Sequence, residues 1–192
     1  MNTKYVCWLA VALVAFLQAG CSDGEKELPV LGEVGQNYQF INQDSQWVNQ
    51  DTFKGKVRVV DFFFTTCPTI CPKMTSQMLR VHDALSGQPD FALLSHTIDT
   101  RHDSVPVLRR YAEGLGVASS DWHMVTGEKE QIFEMAKAYM VSAAEDQAAP
   151  GGYMHSGAFI LLDRQNRIRG YYDGTSPEET NQLIADIELL LE

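Results

Sequence analysis

The chain has 192 residues, room for one ordinary domain after an export leader, and its 45% hydrophobic residues suffice to bury a core. Its formal net charge is −10 at neutral pH. A balance this acidic, without basic clusters, excludes nucleic acid and anionic lipid headgroups as the main ligand and is consistent with a soluble acidic surface.

Residues 1–20 read as an export signal, with Lys4 as the positive start and an unbroken apolar run from Val6 to Leu17 that is too short to span a bilayer comfortably. Ala19-Gly20-Cys21-Ser22 has the form of a lipoprotein cleavage site, with Cys21 as the acylated new terminus. Gln18 stands where such sites carry a branched aliphatic residue, so an uncleaved membrane tether is the alternative. Either arrangement holds the domain on the periplasmic side of a bacterial membrane. Residues 21–35, polar, charged and containing Pro29, suit a flexible spacer, and the domain is expected over 36–192.

Phe40-Ile41 and Trp47-Val48 read as short strands around the turn from Asn42 to Gln46. The apolar run Val57 to Phe64 predicts a central strand buried on both faces, interrupted by Asp61, which needs a partner. After Thr65-Thr66-Cys67-Pro68-Thr69-Ile70-Cys71-Pro72 comes a helix with Met74, Met78, Val81 and Leu85 on one stripe. Pro72 suits its first position, which leaves Cys67 to Ile70 as a loop. Phe91 to Ile98 is a second core strand, and Asp103 or Ser104 caps a helix to about Leu115, giving a β-α-β pattern with parallel pairing. His123-Met124-Val125 is a short strand, and Glu128 to Tyr139 a helix. A loop of about fifteen residues through Pro150-Gly151-Gly152 then leads to Tyr153-Met154-His155-Ser156. Gly157 to Leu162 and Ile168 to Tyr172 form a hairpin, and Ser176-Pro177-Glu178-Glu179 opens the last helix with a capping box. The expected fold class is α/β, a central mixed sheet with helices on both faces.

Of four cysteines, Cys7 lies in the leader and Cys21 at the cleavage site, leaving Cys67 and Cys71 in the domain. A disulfide closing so short a loop restrains little chain entropy, so the pair is read as redox or metal chemistry. Thiols at a helix N-terminus meet free N–H groups and the positive end of the helix dipole, which favours thiolate. Two thiolates suit copper(I), and an added imidazole gives a trigonal site that also holds copper(II). His82, His96, His102 and His123 are surface or packing residues by default, whereas His155 sits between a long loop and a core strand at the sheet end where the cysteines lie. Asp99, just past the second core strand, either caps a turn or orients a ligand. Met74 and Met78, four apart on the apolar stripe, are core residues by spacing.

Val59 to Met74, V-V-D-F-F-F-T-T-C-P-T-I-C-P-K-M, resembles the central CxxxCP motif of the Sco/SenC family of copper-binding proteins. The likeness extends through Thr97 to Tyr111, Trp122 to Gly127 and Tyr153 to Asp173, with Thr100 standing where a proline is usual. The resemblance implies a thioredoxin-like fold and copper bound by Cys67, Cys71 and His155. It further implies a role in delivering copper to the copper-site subunit of cytochrome c oxidase, with Asp99 matching an acidic residue at the end of the family's next core strand; because copper enters only when the thiols are reduced, a periplasmic thiol reductant is an expected partner. The competing reading is a thiol-disulfide oxidoreductase working through Cys67 and Cys71, since a dithiol that clamps copper can also exchange with a partner's disulfide. Peroxiredoxin chemistry is disfavoured because Phe64 stands where that enzyme carries threonine. Zinc is disfavoured by the lack of a general base and by the affinity order that ranks copper above it.

Overall fold

The computed structural model describes residues 27–35 and 37–192, so the segment read as an export signal and Cys21 lie outside the described residues. In chain order the strands are β1 (Gly32–Glu33), β2 (Gln39–Asn42), β3 (Trp47–Asn49), β4 (Val57–Phe63), β5 (Phe91–Thr97), β6 (Trp122–Thr126), β7 (Ala143–Glu145), β8 (Tyr153–His155), β9 (Ala158–Leu162) and β10 (Arg167–Asp173). The α-helices are α1 (Cys71–Leu85), α2 (Val105–Leu115), α3 (Lys129–Ala138) and α4 (Pro177–Leu191).

Every residue of β4 and of β5 is buried, as continuous apolar runs in a central parallel pair require. The eight-stranded sheet has the order β1-β10-β9-β4-β5-β6-β2-β3, parallel across β4-β5-β6 and antiparallel elsewhere. The β4–β5 register runs from Val57 opposite Phe91 to Phe63 opposite Thr97, so Asp61 faces Ser95. Alternation then sorts the side chains by face. Phe63 meets Tyr111 of α2 on one face, while Phe62 meets Tyr139, at the end of α3, on the other. On the α2 face α1 also packs against α4, where Arg80 reaches Asn181 at 2.5 Å.

Asp61 finds its partner in this alternation. The Ser95 hydroxyl donates to its carboxylate, and the Trp122 indole N–H donates to the Ser95 oxygen at 2.8 Å. Burial raises the Asp61 pKa to about 7, only partly offset by the bond from Ser95.

The fold departs from the sequence reading in three places. Part of the segment read as spacer is docked: Leu28 and Val34 are buried and β1 pairs with β10. The cause is Arg169, buried and bonded to Asp163 at 2.9 Å, whose remaining N–H groups take the carbonyls of Leu28 and Pro29. The fifteen-residue loop is instead a two-stranded ribbon, β7 with β8, register Ala143 opposite His155. Of the two caps the sequence offered for α2, Ser104 is the N-cap, and Asp103 is turned inward. The capping box of α4 is half formed: Ser176 accepts from the Glu179 N–H, but the Glu179 carboxylate accepts from Asp173.

Candidate metal centre

The cysteines stand on the turn that leaves β4. Asp103, fully buried, accepts from the Thr65 N–H at 2.9 Å, the Thr65 hydroxyl at 2.5 Å and the Thr97 hydroxyl at 2.5 Å. That carboxylate ties the ends of β4 and β5 together and fixes where the cysteine turn starts. Helix α1 begins at Cys71, one residue earlier than expected, with Pro72 in its first turn and no side-chain cap from Ile70. Pro72 has no N–H, and those of Lys73 and Met74 both donate to the Ile70 carbonyl at 3.0 Å, which leaves the Cys71 N–H as the opening group that reaches the Cys67 sulfur.

Cys67 is partly exposed and Cys71 buried, and both are free thiols. Burial pushes the Cys67 pKa up, but hydrogen bonds from Cys71, from the Thr69 and Cys71 backbone and from the Thr69 hydroxyl outweigh it, and the net shift is downward. Cys71 moves strongly upward, first through burial and then as the donor to Cys67. One proton shared between two sulfurs therefore rests on the inner one.

His155 ends β8 with its ring buried. Its Nδ1 lies 2.9 Å from the Ser156 carbonyl, which can only accept, so Nδ1 carries the proton. Nε2 then presents its lone pair to Cys71 Sγ at 3.2 Å. Burial lowers the His155 pKa, partly opposed by the bond to Ser156, so the ring stays neutral and ready to ligate.

The two sulfurs and this nitrogen all lie within 4.8 Å of one another. The donor set fits a soft ion: two thiolates, one imidazole of fixed tautomer, and a carbonyl orienting the ring from behind. Cys67 borders two clefts. One, of about 290 Å³, opens toward the ribbon between Thr69, Ile70, Pro150 and Tyr153. The other, of about 350 Å³, opens between α1 and α2, lined by Pro72, Thr75, Leu79 and Tyr111. A partner thus has open approaches to Cys67, with buried His155 in the lining of the first cleft and buried Cys71 in the lining of the second.

Asp99 contributes no atom to the cluster. Its carboxylate accepts from the Tyr153 hydroxyl at 3.0 Å and from the His102 N–H at 3.3 Å, so it both closes a turn and holds the strand that carries His155. Met74 and Met78 are wholly core. His96 is stacked on Phe62 on the far face, and His123 is bonded to Asn42 at 3.2 Å. Sequence reasoning missed Tyr153 and the inward role of Asp103. The available signal for the first was its place two residues before His155, on the same face of a strand.

A thioredoxin-like sheet with a dithiol at the start of its first helix and an imidazole facing it defines a metal-binding dithiol protein. The family model described as SCO1/SenC matches residues 27–192, and the chain belongs to that family. It is 25% identical over 187 residues to the SCO1 protein homolog of Bacillus subtilis, covering 96% of each chain. Among solved structures it resembles a SCO1/SenC family lipoprotein from Bacillus anthracis, with TM-score 0.76, 28% identity, and coverage of 84% of this chain and 97% of that one. It also resembles BsSco, described as a member of the Sco family of cytochrome c oxidase assembly proteins, with TM-score 0.73, 26% identity and coverage of 86% and 97%. Copper-bound yeast Sco1 shares the fold at TM-score 0.65 and 22% identity, with 83% and 90% covered.

Proposed function

We propose that this protein binds copper through Cys67, Cys71 and His155 and delivers it to the copper-site subunit of cytochrome c oxidase. The observation that carries the reading is the convergence of two thiol sulfurs and a neutral imidazole nitrogen within 4.8 Å. Membership of a family with copper-bound and oxidase-assembly members supports it. The protein works from the periplasmic side of a bacterial membrane, tethered through acylated Cys21, and a periplasmic thiol reductant keeps its dithiol open. The leader of the sequence and the lipoprotein description of the Bacillus anthracis relative support that location.

In this reading the chain's own residues do three things. Cys67, held toward thiolate, meets the incoming ion first, Cys71 gives up its proton as it ligates, and His155 completes a trigonal set that accommodates copper(II) as well as copper(I). Handover then proceeds by ligand exchange at partly exposed Cys67. The test is a copper titration of the reduced protein with absorption spectroscopy, beside Cys67→Ser, Cys71→Ser and His155→Ala. One equivalent bound, with a sulfur-to-copper(II) charge-transfer band that each substitution abolishes, is expected. Absence of tight binding sinks the proposal.

A second reading is supported by the asymmetry of the thiols. A partly exposed sulfur of lowered pKa above a buried sulfur of raised pKa is the arrangement of a dithiol reductant, in which the outer sulfur attacks a partner's disulfide and the inner one resolves it. Rapid exchange with disulfide substrates, without copper binding, decides for it.

A further inference from the structure

The ligands sit on two supports of different kinds. Cys67 and Cys71 are anchored by a central strand and a helix, whereas His155 hangs on a ribbon only two strands wide, β7 with β8, outside the main sheet. An isolated hairpin is marginal in water, so something must fasten it. The fastenings are specific. Tyr153, two residues from His155 on the same face, donates its hydroxyl to Asp99 at 3.0 Å and lays its ring against Phe64, centroids 5.4 Å apart. Glu145, opposite Tyr153 in the ribbon, accepts from Arg101 and from Lys129, each at 3.1 Å. The Ser156 N–H donates to the Ser142 carbonyl at 2.8 Å and closes the ribbon's base.

We propose that Tyr153 is the positioning residue for His155: its hydrogen bond to Asp99 clasps the ribbon to the end of β5 and holds the imidazole over the thiols, and opening the clasp withdraws the third ligand while the dithiol stays in place. Asp99 then acts on the metal through Tyr153 and not as a ligand. The Glu145 ion pairs, more exposed and so more easily screened by salt, are the weaker half of the same clasp. The proposal rests on the copper reading given above. It adds to it a division of labour: the dithiol retains the ion, and the clasp sets how well the oxidised ion is held.

The test is a double-mutant cycle on the reduced full chain with Tyr153→Phe, which removes the donor, and Asp99→Ala, which removes the acceptor. Each single variant should weaken copper(II) binding roughly tenfold, the scale on which outer partners of a ligand act, and leave copper(I) binding within about threefold of the unaltered protein. The double variant should be no weaker than Asp99→Ala alone, because both changes break one bond and Tyr153→Phe then has nothing further to remove. Losses that add, or copper(I) losses equal to those for copper(II), overturn the proposal. Hydrogen–deuterium exchange of residues 143–156 in the metal-free protein supplies a readout that needs no copper. Faster exchange there in both variants, with α1 and β4 unchanged, is expected, and unaltered exchange overturns the clasp. If the unaltered protein binds no copper, the copper reading falls while exchange alone still decides whether Tyr153 fastens the ribbon.

Discussion

Cys71 Sγ lies 3.2 Å from His155 Nε2, and the far nitrogen of the same ring faces the Ser156 carbonyl at 2.9 Å. One contact makes the other chemically specific. With the proton confined to Nδ1, Nε2 keeps its lone pair free for a metal, and the buried Cys71 sulfur beside it is the ligand with which it would share one.

His155→Ala should therefore separate the two oxidation states. Two thiolates still satisfy copper(I), so its affinity should fall by less than about tenfold, whereas copper(II), deprived of the imidazole, should lose more than about a hundredfold. Competition titrations with a chelator for each ion measure both, and equal losses would show that the histidine does not divide the roles this way.

The thiols should differ in reactivity. Cys67, partly exposed and lowered in pKa, should be alkylated first, with a rate that rises at lower pH than an ordinary thiol's; Cys71, buried and raised, should lag until the solution is strongly alkaline. Peptide mapping after brief treatment with iodoacetamide at a series of pH values reads this directly. Modification of Cys71 first would reverse the assignment.

Stability should depend on pH through Asp61. Its pKa in the fold is raised to about 7 from 3.8, so between those values the native state holds a proton that the unfolded chain has lost, and stability falls as pH rises through that window. Asp61→Asn keeps an oxygen to accept from Ser95 and removes the titration. The variant should thus gain on the unaltered protein by on the order of a few kcal/mol as pH goes from about 4 to 8, measured by denaturant unfolding. A constant difference across that range would contradict the buried, protonated state.

Two adjacent glycines offer a contrast that tests the ribbon's fit. Gly151 and Gly152 both have positive φ, 82° and 83°, but a Cβ on Gly151 would come within 2.7 Å of the Phe64 ring, while one on Gly152 would meet nothing within 4 Å. Gly152→Ala should cost about 1 kcal/mol, from the backbone alone. Gly151→Ala adds overpacking against an aromatic ring beside His155 and should cost about 2 to 4 kcal/mol. Thermal melts of the two variants check the order.

What the sequence made legible follows from how local each signal is. The runs at Val57 to Phe64 and Phe91 to Ile98, the proline after Cys71 and the serine-proline start of α4 act through nearest neighbours, and the structure has these elements within a residue or two. The core parity of Met74 and Met78 was equally plain. Three features were not. The β7–β8 ribbon is short and half exposed, and without a run of β-branched residues its sequence, Ala143 to Glu145, carries no strand signal. Docking of residues 28–34 depends on Arg169, some 140 positions away, which no local pattern reveals. Asp103 and Ser104 were both candidate caps by residue type; the demand of Thr65 and Thr97 for an acceptor, visible only once β4 and β5 are side by side, took Asp103 inward and left the cap position to Ser104. At the site, Cys67 and Cys71 were legible from spacing, whereas His155 needed the family resemblance, because nothing local distinguishes a histidine that will face a thiol across 84 positions of chain.

That separation has a thermodynamic side. The unfolded chain keeps the two cysteines near each other but scatters the imidazole, so the complete donor set exists only in the native state, and an ion held by all three residues joins segments 84 positions apart as a reversible cross-link. By mass action such a ligand adds about 4 kcal/mol to folding when free ion stands a thousandfold above its dissociation constant. Loading thus tightens the molecule, and surrendering the ion relaxes it.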